Sequence, residues 1–284
     1  MNLNWSAIKN HIVRHKFPYA LIGLTSLLNL HVWLDLVKDW ALDNNYSHGF
    51  LVVPISIWIL HRCRKDLTLP AESSWLGTAL VVAGSIGLVL GIAASEFFIT
   101  RVSLVMQITG IGLAYLGAAN FRKVWFAFFF LLFMIPIPAV IYYQATLPMQ
   151  LLATKATTFL LQFVGMPAIR QGNIIHLPGY SLEVVEACSG LRSLVTLLAL
   201  GSLYSWLYMD GKIRPVLLTL AMIPIAVAAN VFRILVTAIG AYTISRELAD
   251  TFLHEVSGLL VFISALIMMM TLGAILKWPG RRST

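Results

Sequence analysis

The chain predicts an all-α fold, a polytopic membrane helical bundle of about eight transmembrane helices with a small extracytoplasmic β-hairpin. Three observations predict it. Hydrophobic residues make up 59% of the 284 and charged residues only 11%, and the mean hydropathy is +0.83, which excludes a soluble globular domain. Apolar runs recur along the whole length, each near the roughly 20 residues that one bilayer crossing takes. Lysines and arginines collect in alternate loops, as cytoplasmic retention of positive charge requires.

In chain order the spans read as 18–34, 47–61, 75–94, 101–119, 123–143, 190–208, 215–243 and 255–276. The first follows a basic segment, 1–17, and has no small-residue cleavage site, so it reads as a membrane span rather than a removable signal. The second is short, and Pro136 and Pro138 interrupt the fifth, which makes these two the weakest. An even number of spans puts both termini on one side. That side holds Lys9, Arg14, Lys16, Arg62, Arg64, Lys65, Arg122, Lys123, Lys212, Arg214, Lys277, Arg281 and Arg282, 13 of the 20 Lys+Arg, and is therefore cytoplasmic. Lipid headgroups account for the net charge of +8, so nucleic acid is not an expected partner. The chain reads as one integral membrane domain, 1–284, with a cytoplasmic tail at 277–284.

On the opposite side, 144–187 is the longest stretch that is not a span. Gln144 to Phe163 mixes apolar residues with Thr, Gln and Lys155, which suits a helix at the interface or packed on the bundle. Gly172 to Leu177 and Ser181 to Glu186 are β-rich runs around Pro178-Gly179-Tyr180, a hairpin signal. The first loop on this side carries Asp35, Asp39, Asp43, Asn44, Asn45, Tyr46, Ser47, His48 and Gly49. It is either a solvated loop with Asn/Gly turn chemistry or part of a polar cup.

The hairpin delivers Glu186 to Cys188. If the sixth span starts near Ser189, Cys188 lies at its N-cap, where free N–H groups and the helix dipole favour a thiolate, and Arg192 one turn on adds positive charge. Arg233 sits inside a span among apolar neighbours, where a guanidinium costs at least about 2.5–3.5 kcal/mol. It needs a partner or a watered cavity, and Asn230 shares its face. His254 opens the last span on the same side as Cys188 and is a candidate proton shuttle, with Glu255 or Asp250 to orient it. Cysteine, arginine and histidine on one side point to acyl transfer. Cys63 is expected on the opposite face from Cys188, so no disulfide joins them. No metal-ligand spacing or nucleotide fingerprint is present, and no metal or other cofactor is expected.

Ala187-Cys188-Ser189-Gly190-Leu191-Arg192, Asn230-Val231-Phe232-Arg233 and His254 with Ser257-Gly258 resemble the exosortase/archaeosortase family, and Tyr46-Ser47-His48-Gly49 resembles its N-terminal signature. The resemblance covers about residues 30–276. It implies an intramembrane cysteine transpeptidase of the bacterial inner membrane, with its active site at the periplasmic face. Cys188 would be the nucleophile, Arg233 the essential arginine and His254 the proton-transfer residue, supported by Arg192, Asn230, Glu186 and His48. The implied partners are exported proteins that end in a short sorting signal, a transmembrane helix and a basic tail, with a glycan or lipid as acceptor. The alternative from another class is a transporter or lipid-handling protein in which Arg233 binds an anionic group and Cys188 is structural.

Overall fold

The computed structural model describes residues 16–68, 72–184, 191–244 and 252–277, with side chains throughout except at 16–19, 191–193 and 252–257. The described chain forms two units, divided between Ile137 and Pro138.

In the first unit, α1 (Lys16–Leu28) and α2 (Leu30–Leu42) meet at a bend of 71°. Asn29 sits at the bend, 1% exposed. Its amide donates to Thr25 O at 2.8 Å and to Gln107 Oε1 at 2.7 Å, so a long-range polar contact holds a bend within the expected span 18–34. Asp35 and Asp39 consequently lie on α2 rather than in a loop. α3 (Gly49–Cys63) contains Pro54 and is 15 residues long, about 22 Å.

α4 (Trp75–Ala93) matches its expected span. It packs on α5 (Phe97–Phe130), whose only non-helical residue is Gly117, at φ 68° and ψ 163°. A Cβ on Gly112 would stand 2.3 Å from the Phe128 ring, yet in a straight helix these residues would be about 24 Å apart. The chain therefore doubles back at Gly117, where only glycine takes the positive φ freely, and α5 is a helical hairpin with arms 97–116 and 118–130. Ile108, Leu116, Val124 and Phe128 fill the space between the arms and α3. At the turn, Asn120 exchanges bonds with Thr68 and Lys123 donates to Asp66 O at 2.7 Å, joining two loops that the charge pattern assigned to one side.

The expected fifth span, 123–143, is broken. A 3-10 turn (Leu131–Met134) ends it, and the helix resumes only at α6 (Ala139–Phe163), which opens the second unit. Prolines 136 and 138 cause the break, because neither can donate to a preceding carbonyl. α6 therefore starts five residues before its expected start at 144. It presents Val140, Ile141, Leu147, Leu152, Phe159 and Phe163 outward while burying Thr146, Gln150, Thr154, Thr157 and Thr158. Thr146, Thr154 and Thr158 bond back to carbonyls one turn earlier, which hides their hydroxyls. Polar residues inside and apolar residues outside suit lipid, not water, on the outer face.

β1 (Ile169–Gln171), β2 (Ile174–Leu177) and β3 (Tyr180–Glu183) form one antiparallel sheet in that order. The hairpin around Pro178-Gly179 has the expected place, with Leu177 opposite Tyr180 and Ile174 opposite Glu183; β1 is an addition that three exposed residues did not signal. α7 (Leu191–Tyr208), α8 (Ile213–Thr243) and α9 (Phe252–Lys277) complete the unit. Leu197, Leu218, Met222, Ile225, Ala229, Val261, Ala265 and Met269 form the core between them.

Four described helical segments are long and apolar enough to cross a membrane, at Trp75–Ala93, Phe97–Met134, Ile213–Thr243 and Gly258–Lys277, and the bent α1–α2 pair makes a fifth. About eight were expected. The difference lies in the short α3, in the described part of α7, and in the two arms of α5 falling within a single segment.

Arg101 on α5 is buried and paired with Asp39 of α2 at 2.5 Å. Neither the length of the charge-poor helix nor the acidic cluster revealed that partner. Removing one side of the pair strands the other charge, so Arg101→Ala is expected to cost about 1–3 kcal/mol. A double-mutant cycle with Asp39→Ala, read by thermal unfolding in detergent, should show the two losses to be strongly non-additive.

Candidate functional site

α8 crosses the second unit and serves two cores in succession. Its earlier part, through Ala229, packs on α7 and α9. Its later part, Val231 to Ile239, packs on Ala153 and Leu161 of α6 and on Ile175, Leu177 and Val184 of the sheet. Asn230 and Arg233 fall at the step between these cores, 1% and 8% exposed, one turn apart on a shared face. Ten residues of α8 remain between Arg233 and Thr243, about 15 Å, too far for the side chain to reach the helix end. The guanidinium is therefore held at depth within the unit that also carries the hairpin.

A second arrangement belongs to the first unit. Breaking the helix after Met134 leaves carbonyls without donors, because the N–H that would reach Met134 O belongs to residue 138, a proline. Side chains from 40–48 supply the missing donors. Trp40 Nε1 donates to Met134 O at 2.9 Å, His48 Nε2 to Phe133 O at 3.1 Å and Tyr46 Oη to Ile137 O at 3.4 Å. Gly49 is required because a Cβ there would stand 2.3 Å from Trp40 Nε1. The structure thus places His48, expected to support substrate binding, on the Pro136–Pro138 break. His48→Ala is expected to lower stability by about 1 kcal/mol, with His48→Gln recovering part of it. Gly49→Ala, which displaces the indole, should cost about 1–3 kcal/mol; scanning fluorimetry checks all three.

Cys188 and Glu186 lie outside the described residues, and so does the expected N-cap. Arg192 falls at the second position of α7 and His254 at the third of α9, where only the backbone is described. The structure therefore brings together Arg233, Asn230 and the hairpin, and leaves the cysteine and the histidine to chemistry.

A family profile described as transmembrane exosortase matches residues 40–271. The chain belongs to the transmembrane exosortase family. The matched stretch begins at Trp40 of the proline-break clamp, spans both units, and contains Cys188, Arg233 and His254. Membership in the exosortase family supports a multi-pass membrane protein with a general role as a sorting-related transpeptidase. Searches of curated proteins and of solved structures found no match.

Sequence reading did not single out Trp40 or the Asp39–Arg101 pair. Their partners lie 94 residues from Trp40 and across two helices from Asp39, and no local pattern announces such contacts. The one available signal for Trp40 was the glycine at 49, which leaves room for a large side chain.

Proposed function

We propose that this exosortase-family chain is an intramembrane cysteine protease and transpeptidase that cleaves the C-terminal sorting signal of exported proteins. The observation that carries the reading is Arg233, a guanidinium 8% exposed in the middle of a span. It occupies the turn of α8 next to the residues that pack on the sheet and on Val184, which follows β3. Cys188 follows Val184 by four residues, a tether of at most about 14 Å. A buried charge on an apolar helix costs several kcal/mol, and an acyl-transfer centre supplies a reason for retaining it.

In this reading the substrate helix docks so that its signal meets Cys188 at the periplasmic face, with both termini of the enzyme cytoplasmic. The Cys188 thiolate adds to the scissile carbonyl carbon. Arg233 stabilises the oxyanion or anchors a carboxylate of the signal, with Asn230 beside it. His254 protonates the departing amine, leaving a thioacyl-enzyme, and then takes the proton of the acceptor that attacks the thioester. The acceptor is an amine or hydroxyl of a surface glycan or lipid; water in its place gives simple proteolysis. Arg192 and Glu186 flank the cysteine as supporting groups.

Trapping tests the reading. Membranes expressing the enzyme with a tagged substrate are quenched in acid, and peptides are searched by mass spectrometry for a thioester on Cys188. The adduct is expected to vanish on treatment with hydroxylamine. A substrate processed normally without any such adduct would refute the covalent route.

A further inference from the structure

Three side chains line up across one face of the small sheet, one from each strand. His176 on β2 meets Ser181 Oγ on β3 through Nδ1 at 2.8 Å and Gln171 Oε1 on β1 through Nε2 at 3.2 Å. The register sets His176 directly opposite Ser181. Alternation along β2 sends Ile175 and Leu177 into the core, so this trio occupies the other face. An amide oxygen only accepts, so the proton of a neutral imidazole resides on Nε2 and Nδ1 keeps its lone pair. The Ser181 hydroxyl is then the donor. Hydroxyl, base and orienting group follow the logic of a nucleophile with its general base.

The backbone supplies a further element. Val184 N–H bonds to Asn173 O at 2.9 Å, and bonded pairs alternate with unbonded pairs in an antiparallel ladder. Counting back makes 176/181 an unbonded pair, so the N–H of Ser181 points away from β2 at an edge strand of the sheet. A serine whose own N–H is not taken by the ladder has a donor ready for an oxyanion.

We propose that Ser181, with His176 as base and Gln171 as the group that orients it, is a second nucleophilic centre, one that accepts the acyl group of an ester. Ser181 Oγ bonds to the carbonyl carbon as its proton passes to His176 Nδ1. The tetrahedral adduct collapses by breaking the bond to the alcohol oxygen, which leaves with the proton from His176. Water, giving its proton to the same imidazole, then attacks the acyl-serine, and the acid and free Ser181 are released. The cycle uses neither Cys188 nor Arg233, so it stands or falls separately from the transpeptidase reading.

An alkyl fluorophosphonate tests it on the full-length protein in detergent, because labelling forms a serine O–P bond and expels fluoride. Peptide mapping is expected to place the adduct on Ser181 in the native protein and to find none after heat unfolding. Ser181→Ala should abolish that adduct. His176→Gln should slow it by at least about 100-fold. Should a variant fail to fold, the comparison of native with unfolded protein still decides. Absence of a Ser181 adduct in the native protein, or an unchanged rate in His176→Gln, would show that the trio only braces the hairpin and overturn the proposal.

Discussion

Cys188→Ala is expected to abolish processing of a tagged sorting-signal protein while leaving the amount and thermal midpoint of the enzyme unchanged. Deleting the nucleophile of a covalent catalyst costs about 10⁴-fold or more, since the steps that follow have no intermediate to act on. His254→Ala should be milder, about 10²–10⁴-fold, because water can replace a lost proton shuttle in part. The transporter reading predicts the reverse for the cysteine: a small thiol with only a packing role is replaced by alanine at little cost. A blot of substrate in cells expressing each variant separates the two. Substrate maturing at the ordinary rate in Cys188→Ala would end the transpeptidase proposal.

What sequence could disclose followed local physics. α4 carries no charged residue between Ser74 and the Ala94–Ser95 turn, so its ends were visible. The β2–β3 hairpin declared itself through β-branched and apolar runs around Pro178-Gly179, where Gly179 takes φ 74°. The features that escaped depend on partners far along the chain. A single asparagine in an apolar run gives no sign of a bend, and Asn29 bends because Gln107, 78 residues away, accepts its amide. Gly117 looks like many membrane glycines; only the approach of Phe128 to Gly112 distinguishes a reversal from a packing site. The proline pair was recognised as a weakness in the fifth span, but the clamp that satisfies the exposed carbonyls is built from Trp40, Tyr46 and His48. At the candidate site, Arg233 was legible because a charge in an apolar helix violates the local pattern, and the structure adds its position between two cores.

Arg233→Met provides the sharpest separation of structural from chemical roles, because the two roles predict different outcomes. Methionine keeps much of the length and volume of the side chain while removing the cost of holding a cation at depth. At 8% exposure, an arginine kept for packing alone would be replaced with stability unchanged or improved, and replacing buried ionic groups by apolar ones is often neutral or stabilising by about 1–4 kcal/mol. A buried ion pair that holds helices together gives the opposite sign, since the stranded partner would cost about 3–5 kcal/mol. If Arg233 stabilises an oxyanion or anchors a carboxylate, processing should fall by about 10²–10³-fold, as when one oxyanion donor is removed, whatever happens to the melting temperature. Arg233→Lys adds a further distinction. Lysine retains the charge but loses the planar two-pronged donor set, so partial activity would favour a point-charge role and complete loss a geometry that needs both prongs. The expected result is a folded Arg233→Met protein with processing lost, read by thermal unfolding and substrate blot on the same membrane preparation. A folded variant that processes substrate normally would remove Arg233 from the chemistry.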